Sequence, residues 1–80
     1  MKKYYKTIII DDERLARNEL KLLLADFPEI EIIGEAANVQ QAIEKINQFK
    51  PDVLFLDIQL RRETGFDLLD KLNSKIKVIF

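Results

Sequence analysis

The fold predicted is one small α/β domain, a doubly wound, flavodoxin-like parallel sheet with helices on both faces. Three observations predict it. Short β-branched runs alternate with segments of helical period, in the order β-α-β-α-β-α-β. Two of these runs, residues 7–10 and 53–56, carry no charge, as strands covered on both faces do. No repeat, Gly/Ser linker or low-complexity stretch divides the 80 residues.

Each element follows from its residues. Thr7-Ile8-Ile9-Ile10 reads as a buried strand and ends in Asp11-Asp12. Over residues 13–26, Ala16, Leu20, Leu23, Leu24 and Phe27 form one helical stripe, while Arg14, Arg17, Lys21 and Asp26 lie elsewhere. Pro28 ends that helix. Residues 30–36 read as a second strand, and Glu31 and Glu35 place it at a sheet edge. Asn38 is a good N-cap for a second helix, on which Val39, Ala42, Ile43 and Ile46 repeat at i, i+3, i+4 and i+7. Pro51-Asp52 stops it. Val53-Leu54-Phe55-Leu56 is the third strand, and it too ends in a carboxylate, Asp57. Residues 58–64 read as a loop closed by Gly65, followed by a short third helix with Phe66, Leu69 and Leu72 on one side. Lys77-Val78-Ile79-Phe80 reads as a fourth strand.

Composition narrows the chemistry. The chain has no cysteine, so disulfides, thiolate metal sites and thiol nucleophiles are excluded. It has no histidine, the commonest general base and zinc ligand. A formal net charge of −1 gives no electrostatic case for bulk binding to nucleic acid or membrane. No run approaches the ~18 apolar residues of a membrane span. The apolar run after the basic start MKKYYK is shorter than the ~7–15 residues of a secretory core, so a cytoplasmic location is expected.

Carboxylates carry the site. In a strand order 2-1-3-4 the first and third strands are neighbours, so Asp11, Asp12 and Asp57 meet at the carboxyl edge of the sheet. Ligands bind there in open α/β sheets. A lone aspartate at a strand end is ordinarily a turn former or a helix cap. Three at converging ends repel one another and call for a cation. Oxygen donors without His or Cys favour a hard divalent ion, magnesium first. The spacing leaves open a nucleophilic carboxylate beside the ion or a plain metal site.

The motifs Ile-Ile-Ile-Asp-Asp-Glu at 8–13, Lys-Pro-Asp-Val-Leu-Phe-Leu-Asp at 50–57, and Gly65 eight residues after Asp57 resemble the receiver domain of two-component response regulators. Leu15-Ala16-Arg17, Ile33-Gly34-Glu35-Ala36, Asp57-Ile58-Gln59-Leu60 and Gly65-Phe66-Asp67-Leu68-Leu69 are similar to its LytTR-type members. The resemblance covers residues 6–80. It implies a CheY-like fold and a phosphorylation-controlled signalling module, not an enzyme that turns over a substrate. It implies Asp57 as phosphoacceptor and magnesium ligand, Asp12 as a direct magnesium ligand, Asp11 acting through water, and the backbone carbonyl of Gln59 completing the metal shell. The implied donor is a sensor histidine kinase, and the implied output is transcriptional. DNA would be reached only through a further C-terminal domain, because residues 1–80 match the N-terminal two-thirds of a receiver.

Two departures stand out. Arg61, followed by Arg62, occupies the place of the family's usual proline, and reads as part of a solvated pair. The family's switch Ser/Thr and its lysine follow the fourth and fifth strands, and neither Lys75 nor Lys77 can take the lysine's role. Two other readings compete with this one. A magnesium-dependent phosphotransferase or phosphatase of the haloacid dehalogenase kind would have an aspartate where Gln59 stands. An unphosphorylated, receiver-like interaction module would not need the acidic triad.

Elsewhere, Arg14, Arg17 and Lys21 read as the wet face of a helix, and Lys2, Lys3, Tyr4, Tyr5 and Lys6 as a disordered start. Gly34 lacks the partner glycines of a phosphate loop. The fourth strand is expected as a bare apolar edge, with side chains near Ile8, Phe55 and Ile79 partly open. A homodimer or higher oligomer of the 80-residue chain is therefore expected.

Overall fold

Residues 4–57 and 76–79 are described by the structure, a computed structural model of the chain. The elements are β1 (Tyr5–Ile10), α1 (Arg14–Leu24), β2 (Ile30–Ala36), α2 (Val39–Phe49), β3 (Val53–Leu56) and β4 (Lys77–Ile79). The strands form one sheet in the order β2-β1-β3-β4, and every pairing is parallel. This is the order expected from the apolar runs, and it makes β1 and β3 neighbours. The expected loop at 58–64, Gly65, and the third helix bearing Phe66, Leu69 and Leu72 lie outside the described residues.

The uncharged runs are buried on both faces. Ile8 and Ile10 point to one side and Ile9 to the other, and all three are at most 1% exposed. Ile8, Ile10, Leu54 and Leu56 join Ala36 and Ala42 in a core under α2, against which Ile33, Val39, Ile43, Ile46, Ile76 and Val78 pack. Ile8 is thus closed off, contrary to the expectation that side chains near it stay partly open. Ile79, on β4, is 38% exposed. Thr7 is the buried polar side chain of β1, and its hydroxyl donates to the Tyr5 carbonyl.

β1 begins two residues earlier than the apolar run indicated. Tyr5 N–H donates to the Glu29 carbonyl (2.7 Å), Lys6 N–H to Asp52 Oδ2 (2.9 Å), and Asp52 N–H to the Lys6 carbonyl (2.7 Å). Backbone pairing, not side-chain hydropathy, therefore orders Tyr5 and Lys6. α2 starts as expected, with the Asn38 side chain accepting from Gln41 N–H at 2.8 Å. It ends at Lys50, whose left-handed backbone (φ 49°) precedes Pro51.

α1 departs from its predicted stripe. Leu23 and Phe27 are exposed, as are Leu15 and Leu22. The half-buried residues are Ala16, Arg17, Leu20, Lys21 and Leu24. This face is rotated from the apolar one because Arg17 and Lys21 turn toward Glu35 of β2 and ion-pair with it.

Candidate functional site

The site lies where β1 and β3 end side by side. Ile10 pairs with Leu56, and Asp57 N–H continues the ladder by donating to the Ile10 carbonyl at 3.0 Å. Asp11 N–H donates to the Ala36 carbonyl of β2, also at 3.0 Å. The backbone of both aspartates is thus held by the sheet itself. Asp11, Asp12 and Asp57 each bring a carboxylate oxygen within 4.8 Å of the others. Asp11 and Asp57 are half-buried and Asp12 is exposed.

Burial raises the Asp11 carboxyl above its ordinary value of 3.8, and the neighbouring Asp57 and Asp12 push the same way. The Glu13 N–H, donating to Asp11 Oδ1 at 2.9 Å, pulls against them. This bond gives Asp11 the turn-forming role as well. Helix capping falls to Glu13, which occupies the N-cap position of α1 without a side-chain bond.

The donor set suits a hard cation. All three groups are carboxylates. Asp11, Asp12 and Asp57 would hold such an ion, which would supply charge neutralisation at this edge; magnesium is commonly bound through one or two carboxylates and water. An open pocket of ≈ 370 Å³ is lined by Asp11 and Asp57 together with Ile9, Leu20, Phe55 and Ile79. Gln59, Arg61 and Arg62 lie outside the described residues.

Hydropathy alone missed a second group of residues. Arg17 does not sit on a wet face: its side chain is 15% exposed. Its Nε donates to Glu35 Oε1 at 2.9 Å and its Nη1 to the Asp11 carbonyl at 2.6 Å. Lys21 donates to Glu35 Oε2 at 2.7 Å. The Lys21 bond, then the Arg17 bond, outweigh desolvation and hold the Glu35 carboxyl below its ordinary value of 4.5. The available signal was the i, i+4 pair of cations opposite a glutamate one residue before the strand's end.

Comparison with known proteins agrees with this geometry. The model of the response regulator receiver domain matches residues 7–80. The sensory transduction protein LytT of Bacillus cereus is 46% identical over 78 residues, covering 94% of this chain and 32% of that protein. The transcriptional regulatory protein BtsR of Salmonella typhi is 47% identical over 70 residues, covering 88% of this chain and 29% of that protein. The chain thus spans about a third of the length of these curated relatives. Among solved structures, a chain in the complex of the P1 domain of CheA3 with CheY6 from R. sphaeroides superposes with a TM-score of 0.77. Identity there is 25%, over 98% of this chain and 62% of that one. With its parallel sheet, its acidic cluster at the β1 and β3 ends, and a family match over nearly its whole length, the chain belongs to the response regulator receiver domain family.

Proposed function

We propose that this receiver takes a phosphoryl group onto Asp57, with a magnesium ion held by Asp12 and Asp57 itself, by Asp11 in support and by the Gln59 backbone carbonyl. The convergence of three carboxylates at the ends of β1 and β3 carries the reading. A carboxylate oxygen of Asp57 attacks phosphorus. The bond from phosphorus to the donor breaks, its electron pair leaves with the donor, and an acyl phosphate forms on Asp57. Magnesium, when bound, supplies charge neutralisation on the transferring group. The Asp57 N–H to Ile10 bond sets the nucleophile's backbone against β1, and the Glu13 N–H orients the Asp11 carboxylate.

In this reading the donor is a phosphohistidine of a sensor kinase, in keeping with the CheA3 P1–CheY6 complex among the matches. The module works in the cytoplasm as a switch, without turning over a substrate. No helix among the described residues is long and apolar enough to cross a membrane. The added phosphoryl charge biases an output domain, transcriptional in kind, which alone would touch DNA. A homodimer or higher oligomer is part of this reading; sedimentation at micromolar concentration tests it, and a monomer would remove it.

The function itself is tested by incubating the protein with acetyl phosphate and magnesium. Mass analysis should find one phosphoryl group, on the peptide containing Asp57, and none in Asp57→Ala. Label elsewhere, or label surviving in that variant, would refute the assignment.

A further inference from the structure

We propose that Arg17 is a positioning residue of this site: its guanidinium ties the Asp11 carbonyl to Glu35 and so fixes the loop that carries Asp11 and Asp12. The inference rests on the phosphoacceptor reading above. Three bonds fasten Asp11. Its N–H reaches the Ala36 carbonyl, its Oδ1 accepts the Glu13 N–H, and its carbonyl accepts Arg17 Nη1 at 2.6 Å. That carbonyl belongs to the peptide plane joining Asp11 to Asp12, so holding it sets the direction in which the chain presents Asp12. Asp12 lies between β1 and α1, outside both elements.

The guanidinium is itself locked. Arg17 Nε is bonded to Glu35 Oε1 at 2.9 Å, and Lys21 holds Oε2 of the same carboxylate at 2.7 Å. Glu35 neighbours Ala36, which accepts the Asp11 N–H, so one strand end anchors the loop twice. A planar fork reaching two acceptors is what arginine provides and lysine does not. Partners of this outer kind typically alter metal affinity 10–100-fold when removed.

The test is calorimetric titration of the protein with magnesium alone, with amide exchange of the metal-free form as second readout. Arg17→Met and Arg17→Lys should each weaken magnesium binding about tenfold. Glu35→Gln should weaken it less, and Arg17→Met/Glu35→Gln no more than Arg17→Met, because the two act as one unit. The Glu13 amide should exchange faster in metal-free Arg17→Met. Should Arg17→Met fail to fold, Arg17→Lys and Glu35→Gln carry the comparison. Variants with lowered melting points but magnesium affinity within about twofold of the parent would overturn the role of Arg17 alone. A parent that binds no magnesium would instead remove the site assignment on which it rests.

Discussion

The paired ends of β1 and β3 bring carboxylate oxygens of Asp11, Asp12 and Asp57 within 4.8 Å of one another, where like charges repel. Replacing Asp57 by Asn should therefore stabilise the metal-free protein, by up to about 1 kcal/mol. Magnesium should raise the melting point of the parent by mass action and leave Asp12→Ala unmoved. Thermal melts with and without the ion check both. Glu35 obeys the opposite sign. Lys21, then Arg17, lower its carboxyl in the fold, so its ion pairs stabilise the protein above the ordinary value of 4.5. That stability is lost as pH falls below 4.5 toward the lowered value. The stability gap between the parent and Glu35→Gln should be full near neutral pH and shrink in acid. A gap independent of pH would contradict the pairing. The aspartates were legible in the sequence because uncharged runs lead directly into them and topology aligns the run ends. Arg17 was not, because sorting a helix by hydropathy sends every cation to water. Gln59 offers no side-chain signal for a role assigned to its main chain.

At the scale of elements, caps and backbone groups decide the boundaries. Asn38 satisfies the Gln41 N–H, so Asn38→Ala should cost about 1 kcal/mol, read from denaturant midpoints at constant slope. Both helices and four strands were legible from their periods, and the edge position of β2 from Glu31 and Glu35. Two features were not. The start of β1 at Tyr5 depends on the Lys6–Asp52 backbone pairing, a contact between residues distant in sequence. The half-buried face of α1, residues 16, 17, 20, 21 and 24, includes two cations that pair with Glu35 on another element, a contact the helix's own period does not reveal.

The whole molecule hangs on β1 and β3, buried on both sides and carrying the acidic residues at their ends. Leu54 is fully buried, and Leu54→Ala should cost about 2–5 kcal/mol. Leu23 is 67% exposed, and Leu23→Ala should shift stability by no more than about 0.5 kcal/mol. Paired unfolding curves separate the two; equal losses would mean that α1 presents its apolar stripe to the core after all. The strand order could be read in advance because alternating strands and helices pointed to a flavodoxin-like sheet, in which the first and third strands are neighbours and their carboxylates meet. The proposed function requires that Asp57, in this arrangement, form an acyl phosphate. Borohydride reduction after exposure to acetyl phosphate and magnesium examines that directly, since hydride converts an aspartyl phosphate to homoserine. Peptide sequencing should find homoserine at position 57 and aspartate at positions 11 and 12. Aspartate unchanged at 57, or homoserine at 11 or 12, would contradict the account.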